Sequence, residues 1–159
     1  IAATGIDTKR KAIIALASPD HTIISEGRFR ERISDLTDGR LCDIVFDNVG
    51  GDVFDECTRC VTFAGKLVVC GFTSGRIPEI ATNNPLIKGF SIAGLRAGEY
   101  ARRFPERGRA INAAIRNLAE AGRSKPAVGT TLPLSRWREG FEAMANREVV
   151  GKVVFEPGA

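Results

Sequence analysis

The 159-residue chain is 43% hydrophobic and carries a net charge of +4. That composition fits one packed domain, or one domain with a short return segment, and excludes wholesale disorder. No run approaches the roughly eighteen apolar residues of a membrane-spanning helix, and neither Lys9-Arg10-Lys11 nor Arg102-Arg103 is interleaved with the aromatics of a nucleic-acid surface.

The elements follow in chain order. Ile1 to Thr4 reads as the end of an apolar strand. There is no initiating Met and no signal-peptide pattern, so Ile1 reads as a truncation point. Asp7 or Thr8 is the expected cap of a helix running to about Ala17. His21 to Ser25 is a strand, and its histidine is read as structural. Phe29, Ile33 and Leu36 mark one face of a helix that Gly39 stops. Asp43 to Asp47 is a continuous apolar run bounded by acids, expected as a buried parallel strand. A Gly50-Gly51 turn and a cysteine-bearing helix come next.

Cys57 and Cys60 have the spacing of a redox or metal pair. With Val53 and Val61, however, they form one apolar stripe, and no second Cys or His pair completes a zinc site. Buried free thiols are the favoured reading, and they suit a reducing cytoplasm. Leu67 to Cys70 is a second buried strand ending at Gly71. An irregular stretch leads to Lys88, and Phe90 to Leu95 is a further strand. Ile111, Ile115 and Leu118 set the stripe of a long helix ending at Gly122. Pro126 to Leu134 is extended, Ser135 is the expected cap of a helix carrying Trp137, Phe141 and Met144, and Val149 to Phe155 is the last strand. Strands alternating with helices predict an α/β fold with a parallel sheet.

In such sheets ligands bind past the carboxyl ends of the strands. The residues there are Thr4-Gly5, Asp47 to Gly51, Gly71 to Ser74 and Leu95-Arg96. Lys9, Arg10 and Lys11 crowd the first turn of the first helix, where the helix dipole costs each cation about 0.3–1 kcal/mol. A bound phosphate reverses that cost. If the fold binds a nicotinamide cofactor, a strand end without an acid, followed by bases, favours NADPH over NADH. Two plainer readings stay open: a solvated helix start whose Asp7 offsets the cations, and ordinary turns at Asp47 to Gly51 and at Phe72-Thr73-Ser74-Gly75.

Taken in order, several segments resemble the medium-chain dehydrogenase/reductase superfamily, in particular its zinc-independent NADPH:quinone oxidoreductase branch. They are Thr4 to Arg10, Asp20 to Ile23, Asp43 to Gly51, Gly65 to Phe72, Asn84 to Gly94, Pro133-Leu134 and Val150 to Val154. The resemblance implies a Rossmann-like parallel sheet lacking its first βα unit over residues 1–125. It also implies a C-terminal segment, residues 126–159, returning to a GroES-like catalytic domain.

By the same resemblance, Gly5 falls where NAD-specific relatives keep an acid, and Arg10 on the position of the 2′-phosphate lysine, beside Lys9. Asn48-Val49 and Gly71-Phe72, with Thr73 beyond, fall on the turns lining the two riboses. Leu95-Arg96 falls beside the carboxamide. Ser25 stands about where many quinone reductases carry a tyrosine. The strand Phe90 to Leu95 is implied to pair across a homodimer. The chemistry implied is hydride transfer from NADPH to a quinone or activated alkene carbonyl, with no catalytic residue assigned in this chain. Because the pyrophosphate cradle lies outside it, the chain alone is expected to bind NADPH weakly or not at all. The alternatives are a non-catalytic module for NADPH sensing or dimerisation and, further off, a SAM-dependent methyltransferase, which should end in an antiparallel hairpin.

Overall fold

The computed structural model describes residues 1–158, which fall into two compact units, the first Ile1–Tyr100 and the second beginning at Ala101. The first unit holds β1 (Ala2–Thr4), α1 (Asp7–Ala17), β2 (Thr22–Ile24), α2 (Arg30–Leu36), β3 (Cys42–Asp47), α3 (Gly51–Cys57), β4 (Val61–Val69), α4 (Asn83–Lys88) and β5 (Ser91–Gly94). α5 (Ala97–Arg103) straddles the boundary. The second unit holds α6 (Pro105–Glu120), β6 (Val128–Pro133), α7 (Trp137–Ala145) and β7 (Lys152–Glu156). β1 pairs with β2, β4 lies between β3 and β5, and β6 pairs with β7. Every one of these pairings is parallel, which answers the α/β expectation and removes the antiparallel ending of a methyltransferase.

The core of the first unit is a cluster of Ile23, Phe29, Ile33, Phe54, Cys57, Cys60, Val61, Leu67 and Phe90. The stripe reading of the cysteines therefore holds for the thiols themselves, although α3 ends at Cys57. Cys60 sits in the following turn and Val61 begins β4. Glu56, also buried, accepts the Arg30 backbone N–H at 2.9 Å through Oε1. A carboxylate thus satisfies an orphan donor at the start of α2 and ties α3 to it.

Several local expectations are corrected. α1 has Ile6 at its N-cap with no side-chain cap bond, because Asp7 already lies inside the helix. Its carboxylate takes the Arg10 Nε–H at 2.8 Å instead. Ser135 does not cap α7 either: it sits in a 3-10 turn, Leu134–Arg136, and Arg136 holds the N-cap position. β3 is not buried along its length, since Ile44 is 59% and Phe46 68% exposed on one face, while Asp47 is buried. The stripe of α6 is helical as read, yet Ile111 and Ile115 are exposed. Helix α4 was not foreseen because Asn-Asn-Pro reads as a turn; Pro85 lies in its first turn, where a missing N–H costs nothing. β4 is longer than read, because a bulge at Ala64-Gly65 joins two strand halves, with Ala64 at φ 62°.

Candidate functional site

Asp47 ends β3 with 2% exposure. Its Oδ1 accepts the backbone N–H of Val49 at 2.8 Å and of Gly50 at 3.1 Å. Oδ2 accepts the Gly50 N–H at 3.2 Å. An aspartate that captures the amides two and three residues on makes an Asx-type turn, so the chain reverses tightly at Asn48-Val49.

That turn is joined to the loop after β4. The Thr73 N–H donates to the Asn48 carbonyl at 3.1 Å, and the Ser74 N–H to the Val49 carbonyl at 2.9 Å. The Gly51 N–H donates to the Arg76 carbonyl at 3.1 Å. Arg76 in turn reaches Asp55 and Asp52, and these carboxylates, Asp55 foremost, push its own pKa further up. Gly50 has φ +70°, and a Cβ there would stand 3.0 Å from the Phe72 ring and 3.1 Å from the Arg76 carbonyl oxygen. Only glycine lets the two loops approach this closely.

The Leu95 N–H donates to the Val69 carbonyl at 2.9 Å, which sets the end of β5 beside the end of β4. Asn48, Val49, Gly71, Phe72, Thr73 and Leu95 therefore lie along one edge, at the carboxyl ends of three parallel strands. Arg96 follows as an exposed residue whose carbonyl accepts the Tyr100 N–H.

Gly5, Lys9 and Arg10 belong to the end of β1 and the start of α1. Arg10 is paired with Asp7, and Lys11 reaches the same carboxylate at 3.2 Å. Arg10 first and then Lys11 hold the Asp7 carboxyl below the usual carboxylate range. Among the described residues Lys9 has no such ion pair. Ser25, whose N–H donates to the Thr4 carbonyl at 2.8 Å, lines a cavity of about 270 Å³ together with Asn48 and Val49. The structure thus links the β2 end to the β3 turn, a meeting that spacing along the chain does not show. Asp47, placed by the sequence at a strand end but given no role of its own there, is the organiser of the turn; its signal is an acid followed by Asn-Val-Gly-Gly.

A family model described as zinc-binding dehydrogenase matches residues 19–155. The chain belongs to that family. The resemblance to the medium-chain dehydrogenase/reductase superfamily, and to its quinone oxidoreductase members, is thereby borne out. The quinone oxidoreductase-like protein 2 of Bos taurus is 32% identical over 155 residues, covering 97% of this chain and 44% of the relative. A mycobacterial protein solved in complex with NADPH superposes with a TM-score of 0.87 over 98% of this chain and 49% of its own, at 23% identity. An NAD-dependent alcohol dehydrogenase is 28% identical with a TM-score of 0.79, over 99% of this chain and 43% of its own. The chain spans less than half the length of these relatives. As for the metal in the family's description, no group of three or more His, Cys, Asp or Glu among the described residues is placed to hold an ion.

Proposed function

We propose that this zinc-binding dehydrogenase family chain is the cofactor-domain part of an oxidoreductase that moves a hydride from NADPH to a quinone or an activated alkene carbonyl, without zinc. The observation that carries the reading is the convergence of the loops after β3, β4 and β5 on one edge, held by the Thr73–Asn48, Ser74–Val49 and Leu95–Val69 backbone bonds. That edge is where parallel sheets take their ligands. The backbone is open where a dinucleotide needs it. A Cβ at Gly5 would meet nothing within 4 Å, and one at Gly71 only the Asn48 carbonyl oxygen at 3.5 Å.

In this reading Gly5 and Lys9, with Arg10 once it leaves Asp7, receive the 2′-phosphate. Asn48-Val49 and Gly71 to Thr73 position the riboses, and Leu95-Arg96 the carboxamide end. When bound, NADPH supplies the hydride; the chain's own part is to hold the reacting ring in place. Residues 126–159 serve as the return segment to the catalytic domain, the outer edge of β5 pairs two copies, and the protein works in the cytoplasm, where its four free cysteines stay reduced. By itself the chain is expected to bind NADPH weakly or not at all, because the pyrophosphate cradle lies outside it.

The test is nicotinamide oxidation by the whole polypeptide that carries this chain, with NADPH and NADH each offered against quinones, enals and enones. Turnover with NADPH and one acceptor class is the expected result. Cofactor binding with no turnover of any acceptor would replace the enzyme with the sensing or dimerisation module, which the one-sided pairing of β5 also fits.

A further inference from the structure

α1 opens with Asp7, the acid of its first turn, while Ile6 at the N-cap makes no side-chain bond to the helix. Three cations follow, and spacing decides which of them the acid can reach. Arg10 and Lys11, three and four residues on, share the face of Asp7; Lys9, two residues on, does not. The distances obey that rule. Arg10 donates to Asp7 Oδ1 through Nε at 2.8 Å and through Nη2 at 2.5 Å. Lys11 Nζ lies 3.2 Å from Oδ2, so each carboxylate oxygen has a cation of its own.

An anion gripped by a guanidinium and an ammonium is what a bound phosphate would be in the same turn. The grip is exchangeable, because the Arg10 and Asp7 side chains are 35% and 51% exposed and exposed ion pairs are weak. We propose that Asp7 is a specificity-determining residue: its carboxylate competes with the cofactor's 2′-phosphate for Arg10 and Lys11, and so keeps the preference for NADPH over NADH smaller than the three cations alone would make it. The inference rests on the reading that the start of α1 receives the 2′-phosphate. A cofactor ending in a 2′-hydroxyl leaves the pair intact and meets the open backbone at Gly5, where a Cβ would touch nothing within 4 Å. NADPH has to exchange carboxylate for phosphate. It is also repelled by Asp7, which stays ionised because Arg10 first and then Lys11 hold its carboxyl below the usual range.

The test is calorimetric titration of NADPH and NADH into the whole polypeptide that carries this chain. Asp7→Asn should tighten NADPH about threefold, the scale of an exposed ion pair, and leave NADH unchanged. Asp7→Glu keeps the charge and should match the unaltered polypeptide. Arg10→Ala should weaken NADPH more in the Asp7→Asn background than alone, because only there is Arg10 free of a carboxylate. A mere defect in the start of α1 would move both cofactors together. Carbon-13 NMR of the Asp7 carboxyl in the unaltered polypeptide needs no variant: NADPH should raise its pKa towards the ordinary carboxylate range, and NADH should not. Equal effects of Asp7→Asn on the two cofactors, the same Arg10→Ala loss in both backgrounds, or an Asp7 pKa that NADPH leaves in place would each overturn the proposal and spare the cofactor reading. Binding of neither cofactor to the unaltered polypeptide would remove both.

Discussion

Asp47 does at residue level what a longer loop does elsewhere: one buried carboxylate satisfies two backbone amides and so sets the shape of the β3 turn. Asp47→Ala leaves those donors without their acceptor. It should cost about 2–6 kcal/mol, the range for leaving two donors unsatisfied, read as a fall in the urea midpoint; Asp47→Asn, which keeps one oxygen, should cost less. Cys57 and Cys60 act through burial instead. Burial before all else pushes both thiols up to about 12. They should resist alkylation near neutral pH while the exposed Cys70 reacts, as mass spectrometry of the modified chain will show. A Cys60 that reacted as fast as Cys70 would contradict the packing. The buried-thiol reading was legible in the stripe Val53, Cys57, Cys60, whereas the role of Asp47 was not, because an acid at a strand end looks the same whether or not its oxygens find amides.

At the scale of elements, close approach decides which positions tolerate a side chain. Gly50→Ala combines φ +70° with contacts of 3.0 and 3.1 Å to the Phe72 ring and the Arg76 carbonyl oxygen. A cost of about 1–3 kcal/mol is expected, with faster amide exchange at Thr73 and Ser74 as the junction loosens. In the second unit α7 rests on β7 through Gly140, where a Cβ would come 2.6 Å from Phe155 Cζ and 3.0 Å from Val153 Cγ1. Gly140→Ala should push the helix off the strand and break the Phe141–Phe155 stack, whose centroids are 6.1 Å apart. The single tryptophan, edge-on to Phe141 at 5.9 Å, reports that change by its fluorescence. Unaltered emission and stability would mean that the contact yields without cost. The periodic helices and apolar strands could be read from sequence. α4 and the two displaced caps could not, because proline in a first turn and an acid at N1 are decided by where the helix starts, which depends on packing.

For the whole molecule, the buried thiols make stability depend on alkaline pH. In the unfolded chain cysteines lose their protons near pH 8.5, whereas the folded chain keeps those of Cys57 and Cys60 to about 12. The unfolded state therefore binds fewer protons above pH 8.5. The stability is fully present below that pH and falls as pH rises, by up to about 1.4 kcal/mol per pH unit and thiol. Urea midpoints that decline from about pH 8.5, and decline less in the Cys57→Ala, Cys60→Ala variant, are the expected outcome. Cofactor preference is the second whole-molecule property. With Arg10 held by Asp7, Lys9 is the cation that the proposed reading leaves for a 2′-phosphate. In the whole polypeptide Lys9→Ala should weaken NADPH about tenfold, the size of one charge-assisted hydrogen bond, and leave NADH unchanged. Equal losses in a calorimetric titration of the two cofactors would remove the preference.

Sequence by itself determined the alternation of strand and helix, the apolar residues of each, the buried cysteines and the family, because these follow from local periodicity and from motifs kept in order along the chain. Only the tertiary structure decided that β1-β2 and β3-β4-β5 form separate ladders, and that Ser25 and Asn48 line one cavity. It also decided that Arg10 spends its charge on Asp7, and that Ile44, Phe46, Ile111 and Ile115 stay exposed. Those outcomes depend on which surfaces meet, and an apolar side chain carries no mark of its partner, whereas period and spacing are written residue by residue.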